Sequence, residues 1–151
     1  SRMRTTPKQT GLSILSVSAD TFCVDPGRVN EIWPHVRGWL QAATEKCGDW
    51  TIDAIHDAVL SKEMLLWVRW DGTALRAATV TELMIVPRGK VCQIVVCGGE
   101  KVGSWQDAIA PLEKYASEQG CVAMRIHGRV AWTKIFPDYD LEWVALEKRL
   151  N

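Results

Sequence analysis

Residues 104–136 decide the fold. The run Ser104-Trp105-Gln106-Asp107-Ala108-Ile109-Ala110-Pro111-Leu112-Glu113-Lys114-Tyr115-Ala116 opens on a capping box, with Asp107 three residues after Ser104. Trp105, Ile109, Leu112 and Ala116 recur at helical spacing, and the last three make one apolar stripe. Gly120 is placed to end the helix. Cys121-Val122-Ala123-Met124-Arg125-Ile126 follows as a short, mostly apolar strand. His127-Gly128-Arg129 turns the chain, Val130 to Phe136 fits two more helical turns, and Pro137 stops them. A strand flanked closely by two helices belongs in a sheet covered by helices.

The chain has 151 residues, enough for one domain with a sizeable core. Acidic and basic side chains number 18 each, so a generally basic nucleic-acid binder is not expected. No uninterrupted apolar run is long enough to span a bilayer. The start has no apolar signal core, and Ser1-Arg2 ahead of Met3 reads as a tag remnant. Five cysteines, with no close pair and no ligand spacing to the histidines, read as small hydrophobes of a cytosolic chain rather than disulfides or zinc ligands. Cys92 and Cys97 have opposite parity on one expected strand and should face opposite ways.

Outward from the deciding stretch, residues 65–97 read as an antiparallel meander. Leu65–Trp70 is a strand, Asp71-Gly72 a tight turn, Ala74–Val86 a long strand, and Pro87-Arg88-Gly89-Lys90 a second turn. Val91–Cys97, apolar except for Gln93, suits a central strand buried on both faces. Two helices precede the meander, over 28–47 and 51–61, and Pro34 either follows the start of the first or kinks it. Leu12–Val24 reads as a first strand and Leu141–Leu150 as a closing strand, with a helix nearly as compatible there. Residues 1–11 are expected to be a flexible segment and 12–151 a single domain. The expected class is α/β (α+β mixed), with the N-terminal helices on one face of a mixed, twisted sheet and the 104–119 helix on the other.

This order of elements resembles the GCN5-related N-acetyltransferase (GNAT) superfamily. Glu113-Lys114-Tyr115-Ala116, Gly120-Cys121 and Gly128-Arg129-Val130-Ala131-Trp132 resemble a branch of small acetyltransferase-like proteins of tailed phages and prophages. The resemblance implies that the turn before the long helix holds the pyrophosphate of acetyl coenzyme A (acetyl-CoA), since spare N–H donors gather at a helix N-terminus. The residues it would use are Val95, Val96, Cys97, Gly99, Lys101, Gly103 and Ser104, with Arg129 as an auxiliary charge. Gly103 keeps its place in the family turn. Glu100 puts a negative charge where the family has Arg or Gln, and Trp105 a large ring where it has Gly or Ala. Gly98-Gly99 adds flexibility that permits another register.

Two functions follow from the resemblance. The favoured one is a non-catalytic or degenerate acetyltransferase-fold protein of phage type, without cofactor, working in the host cytoplasm or on the virion. Its partner would be a viral or host protein or a second copy, with no nucleic acid and no membrane. Eight tryptophans support it, with Trp33, Trp39, Trp50, Trp105 and Trp132 as candidates for a partner-facing patch. The alternative is an acetyl-CoA-dependent N-acetyltransferase acting on an amine of a protein or small molecule. Glu82 or Glu100 would then be the base, the other reading of Glu82 being an outward strand residue. Lys134 stands where the family offers a tyrosine acid and would need burial to serve. His127, at the end of the short strand, is a candidate ligand contact. Tyr139 reads as packing.

Overall fold

A computed structural model describes residues 20–46, 49–128, 131–142 and 144–150. The elements are β1 (Asp20–Cys23), α1 (Val29–Lys46), α2 (Ile52–Leu60), β2 (Leu65–Trp70), β3 (Leu75–Val86), β4 (Gly89–Gly99), α3 (Trp105–Glu118), β5 (Ala123–Ile126) and α4 (Trp132–Ile135). One sheet runs in the order β1-β2-β3-β4-β5, antiparallel as far as β4, with β5 parallel to β4. Parallel neighbours need a crossover, and α3 supplies it. Ser104 caps α3 by accepting from the Asp107 N–H at 3.2 Å, and Gly120 follows at φ +78°, a region open to glycine.

The two faces of the sheet carry separate cores, as the sequence leads one to expect. On one face, Val29, Trp33, Val36 and Leu40 of α1 and Ile55 and Val59 of α2 pack on Leu66, Val68, Val80, Val95 and Val96. On the other, Ile109 and Leu112 of α3 pack with Cys23, Trp67, Ile94 and Phe136. Each fully buried aliphatic side chain contributes roughly 1.5–3 kcal/mol relative to exposure. Trp67 carries a polar atom into the α3-side core, and its indole N–H donates to Thr81 Oγ1 at 3.0 Å. Pro34 lies inside α1 as its sixth residue, so the carbonyl that its missing N–H leaves unbonded belongs to Asn30, near the helix start.

A β-bulge changes what the sequence suggests for β4. Val80 lies opposite Val96 and Thr81 opposite Ile94, so Val95 is an extra residue in β4. Val95 and Val96 therefore enter the same core, on the α1 side. The extra residue resets the alternation, and Cys97 packs in the α3-side core, the face that Ile94 and hence Cys92 also take. Cys92 and Cys97 thus share a face, contrary to the parity expectation. Gly98 and Gly99 lie within β4 and serve close packing rather than flexibility. A Cβ on Gly98 would sit 2.8 Å from the Trp39 carbonyl of α1, and one on Gly99 2.2 Å from the Arg76 carbonyl of β3.

Other expectations need correction. Residues 141, 142 and 144–150 form neither the closing strand nor a helix, and Leu146 is 95 % exposed. Alternating apolar residues make a strand only with a backbone neighbour to pair with, and this segment has none among the described residues. The last helix is confined to Trp132–Ile135. Residues 1–19, Cys47, Gly48, Arg129, Val130, Trp143 and Asn151 lie outside the described residues, and with them the 1–11 segment and the front of the expected first strand.

Two glycines give opposite tests of this packing. Gly98→Ala drives a methyl group into the α1 backbone and should destabilise the fold by about 1–3 kcal/mol. Gly38, inside α1 with nothing near its Cβ position, should gain about 0.5–1 kcal/mol on substitution by Ala. Urea denaturation of the two variants checks both signs.

Candidate active site

The site begins where β4 and β5 part. Their pairing runs from Val91 opposite Ala123 to Ile94 opposite Ile126, and the His127 N–H donates to the Ile94 carbonyl at 3.2 Å. Beyond Ile94, residues 96–99 keep β3 on one side, and residues 95–99 have no strand paired on the other among the described residues. The bulge at Val95 sits at the point of parting. An extended backbone edge of this kind can pair with an extended ligand that carries amides.

The turn that leaves β4 is pinned from both ends. The Glu100 N–H donates to the Arg76 carbonyl at 2.9 Å, and Lys101 and Gly103 take positive φ values of 54° and 82°. Beneath the turn lies Arg69 of β2, buried, donating from Nε to the Val102 carbonyl at 3.2 Å and from Nη1 to Thr21 Oγ1 at 3.3 Å. It has no carboxylate partner among the described residues, so its charge adds to the positive end of α3. Arg69 was not singled out from sequence, although a lone charge in the apolar run Leu65–Trp70 is the signal that could have found it. Of the first N–H groups of α3, that of Asp107 goes to Ser104 Oγ and that of Ala108 to the Ser104 carbonyl. Those of Trp105 and Gln106 have no partner among the described residues. The Trp105 indole packs into the α3-side core, edge-on to Trp132 with ring centroids 5.6 Å apart. Glu100 stands exposed.

Glu82 belongs to the opposite face of the sheet from Thr81, whose hydroxyl meets Trp67 in the α3-side core. Its neighbour across β4 is Gln93, and the neighbour of Gln93 across β5 is Arg125. Burial pushes the Glu82 carboxyl above the ordinary carboxylate range, and the charge of His127 pulls it part of the way back. Glu82 and His127 thus act on each other electrostatically beside the point where β4 and β5 part. Gln93 and Arg125 were not singled out, because their alignment with Glu82 depends on two strand registers.

Other candidates fall elsewhere. Lys134 is exposed on α4, without the burial that an acid role would need. The Tyr139 hydroxyl donates to Glu113 Oε2, and burial together with that carboxylate holds its pKa far above the ordinary value, as suits a packing residue. Arg129 lies outside the described residues. Among the five tryptophans proposed for a surface patch, Trp33 is 6 % exposed and stacked on His56 with centroids 4.3 Å apart. Trp39 and Trp50 are half-buried against the α1-side core, Trp105 and Trp132 against the other. Trp70, passed over in the sequence, is 40 % exposed. With Trp39, Phe22 and Leu75 it lines a cavity of about 560 Å³ on the β1 side of the sheet, away from Glu82 and β5. Burial pushes the Cys92 thiol up to about 12, which keeps it from thiolate chemistry. No group of three or more metal-ligating side chains occurs among the described residues, and no helix among them is long and apolar enough to cross a membrane.

The chain matches no protein-family model and no curated protein. Solved structures of similar fold include acetyltransferases. An aminoglycoside acetyltransferase from an uncultured soil metagenomic sample superposes at a TM-score of 0.65 and 7 % identity, over 91 % of this chain and 99 % of that one. A ribosomal-protein-alanine N-acetyltransferase from Brucella melitensis gives 0.63 at 14 %, over 88 % and 100 %. A predicted acetyltransferase with acetyl-CoA from Clostridium acetobutylicum gives 0.60 at 11 %, over 88 % and 96 %. At these identities the likeness is one of fold, and the fold is the mixed α/β architecture of GNAT acetyltransferases. The phage affiliation and a role through protein contact stay with the sequence resemblance alone.

Tyr139→Phe separates packing from chemistry. It removes the hydrogen bond to Glu113 and should lower stability by about 1.5 kcal/mol. Any acetyl-transfer rate should stay as in the parent chain, which thermal denaturation and a thiol-release assay together check.

Proposed function

We propose that this chain is an acetyl-CoA-dependent N-acetyltransferase acting on an amine. The observation that carries the reading is the parting of β4 from β5 at the Val95 bulge, with a half-buried carboxylate, Glu82, beside it. The acetyltransferase neighbours support the same reading at the level of fold.

The residues present fit the group. The backbone of Val95, Val96, Cys97 and Gly99, past the last β4–β5 pair, suits the amides of a pantetheine arm. Lys101, Gly103 and Ser104, with the spare N–H groups at the start of α3 and the Arg69 charge beneath, suit a pyrophosphate. The Trp105 ring is committed to Trp132, which answers the crowding expected from sequence, and Glu100 is the remaining opposing feature. When bound, acetyl-CoA would supply an acetyl thioester as the acyl donor, with coenzyme A thiol as the leaving product. The chain's own part is to hold the amine beside the end of β5 and to take its proton on a Glu82 oxygen. Burial raises the proton affinity of that carboxylate and brings it closer to the working pH.

Glu100 favours the second reading, a non-catalytic phage-type protein acting through protein contact in the host cytoplasm or on the virion. Calorimetric titration with acetyl-CoA separates the two. Binding at micromolar strength is expected, and neither heat nor a thermal shift at millimolar ligand would leave the second reading in its place. Glu82→Gln should lower kcat by roughly 100-fold or more, with little change in acetyl-CoA affinity. The base works only as a carboxylate, so the rate in the parent chain should fall as pH drops through the raised pKa of Glu82. That limb lies above the ordinary 4.5 and should vanish in Glu82→Gln.

A further inference from the structure

Glu82, Gln93 and Arg125 form a straight polar row across three adjacent strands. All three belong to the face of the sheet opposite α3, because the residues alternating with them, Thr81, Ile94, Met124 and Ile126, serve the α3-side core. Gln93 is only 9 % exposed, yet its side-chain amide has no hydrogen-bond partner among the described residues. The Arg125 guanidinium, half-buried, likewise has neither hydrogen bond nor ion pair among them. Buried amides without partners are rare, because each forfeits the hydrogen bonds it made to water. One such amide, with a half-buried guanidinium lacking a partner beside it in the row where the β4–β5 pairing ends, points to something that binds across them.

We infer that the row recognises the acceptor, and that the acceptor is a small amine that also carries a carboxylate, a zwitterion of the amino-acid class. This rests on the acetyl-transfer reading of the same site. Neighbouring strands lie about 4.8 Å apart, so Glu82 and Arg125 are separated by about 10 Å at the backbone. Glu82 faces the amine, which it both attracts and deprotonates. The Arg125 fork matches a carboxylate with two parallel N–H donors. Gln93, between them, offers donors and an acceptor to either end. A polycationic amine would set a positive charge against Arg125, and an amine without an anion would leave the fork unpaired.

The test uses the full chain, isotope-labelled, with the side-chain NMR signals of Gln93 and Arg125 as reporters. The probes are a mixture of the twenty common amino acids, a matching mixture of their carboxamides, and spermidine. The amino acids should move both signals, and the other two probes should not. With acetyl-CoA present, the amino acids should be acetylated, and Arg125→Gln should raise their KM about 10–100-fold while leaving the KM for acetyl-CoA unchanged. Arg125→Lys should recover part of the loss. Carboxamides or spermidine preferred over amino acids, or signals that none of the probes moves because only water fills the row, would overturn the inference. Amine acetylation without that preference keeps the acetyl-transfer reading and removes this site. Amino-acid binding at the row in a chain that does not bind acetyl-CoA does the reverse.

Discussion

Everything about the candidate site depends on one extra residue in β4. Up to Ile94 the strand is held on both sides, by β3 and by the parallel β5. At Val95 the ladder gains a residue without an opposite number. A bulge bends and twists its strand, and here it follows directly on the last residue paired to β5, while the continuing chain stays paired to β3 through Gly98 and Gly99. The same bulge sends two consecutive valines into the α1-side core. That anchors the bend by apolar burial just past the last β4–β5 pair.

The glycines and the buried arginine complete that constraint. Gly98 and Gly99 let α1 and β3 close on the diverging strand, since side chains there would strike the Trp39 and Arg76 carbonyls. Arg69 then fixes the next turn by holding the Val102 carbonyl from below. A buried guanidinium is expensive unless its donors are satisfied, and here part of that satisfaction comes from the backbone that leads into α3. The start of α3 is therefore positioned by the sheet and by a charge under it, not by its own cap alone.

Local patterns in the sequence carried most of the elements. The stripe of Ile109, Leu112 and Ala116, the Ser104 cap, and the Asp71-Gly72 turn each act within a few residues, and each appears where its local chemistry puts it. The bulge was hidden because Val91–Cys97 is almost uniformly apolar, and a register slip inside such a run leaves no mark on composition. The parity assigned to Cys97 failed for that reason. The tryptophans are a different matter. A count of indoles says nothing about which face each takes, and Trp33 spends its ring on α1-side packing and on His56. The 141–150 segment failed because an alternating pattern records what a strand would bury without recording whether a neighbour is there to pair with it.

The polar row shows why a candidate site can be written plainly in a chain and still not be read. Glu82, Gln93 and Arg125 are each ordinary in sequence, one carboxylate, one amide and one guanidinium, each in an apolar strand. Their meaning comes from two registers, one antiparallel across a bulge and one parallel across a helical crossover. Shifting either by one residue would send the partner side chain to the α3 side and dissolve the row. The apolar packing that fixes those registers, Ile94 and Ile126 against α3 and Val80 and Val96 beneath α1, is therefore also what aligns the three polar groups. Core and candidate site are two faces of one register, and a substitution that slipped the first would erase the second without touching any of its residues.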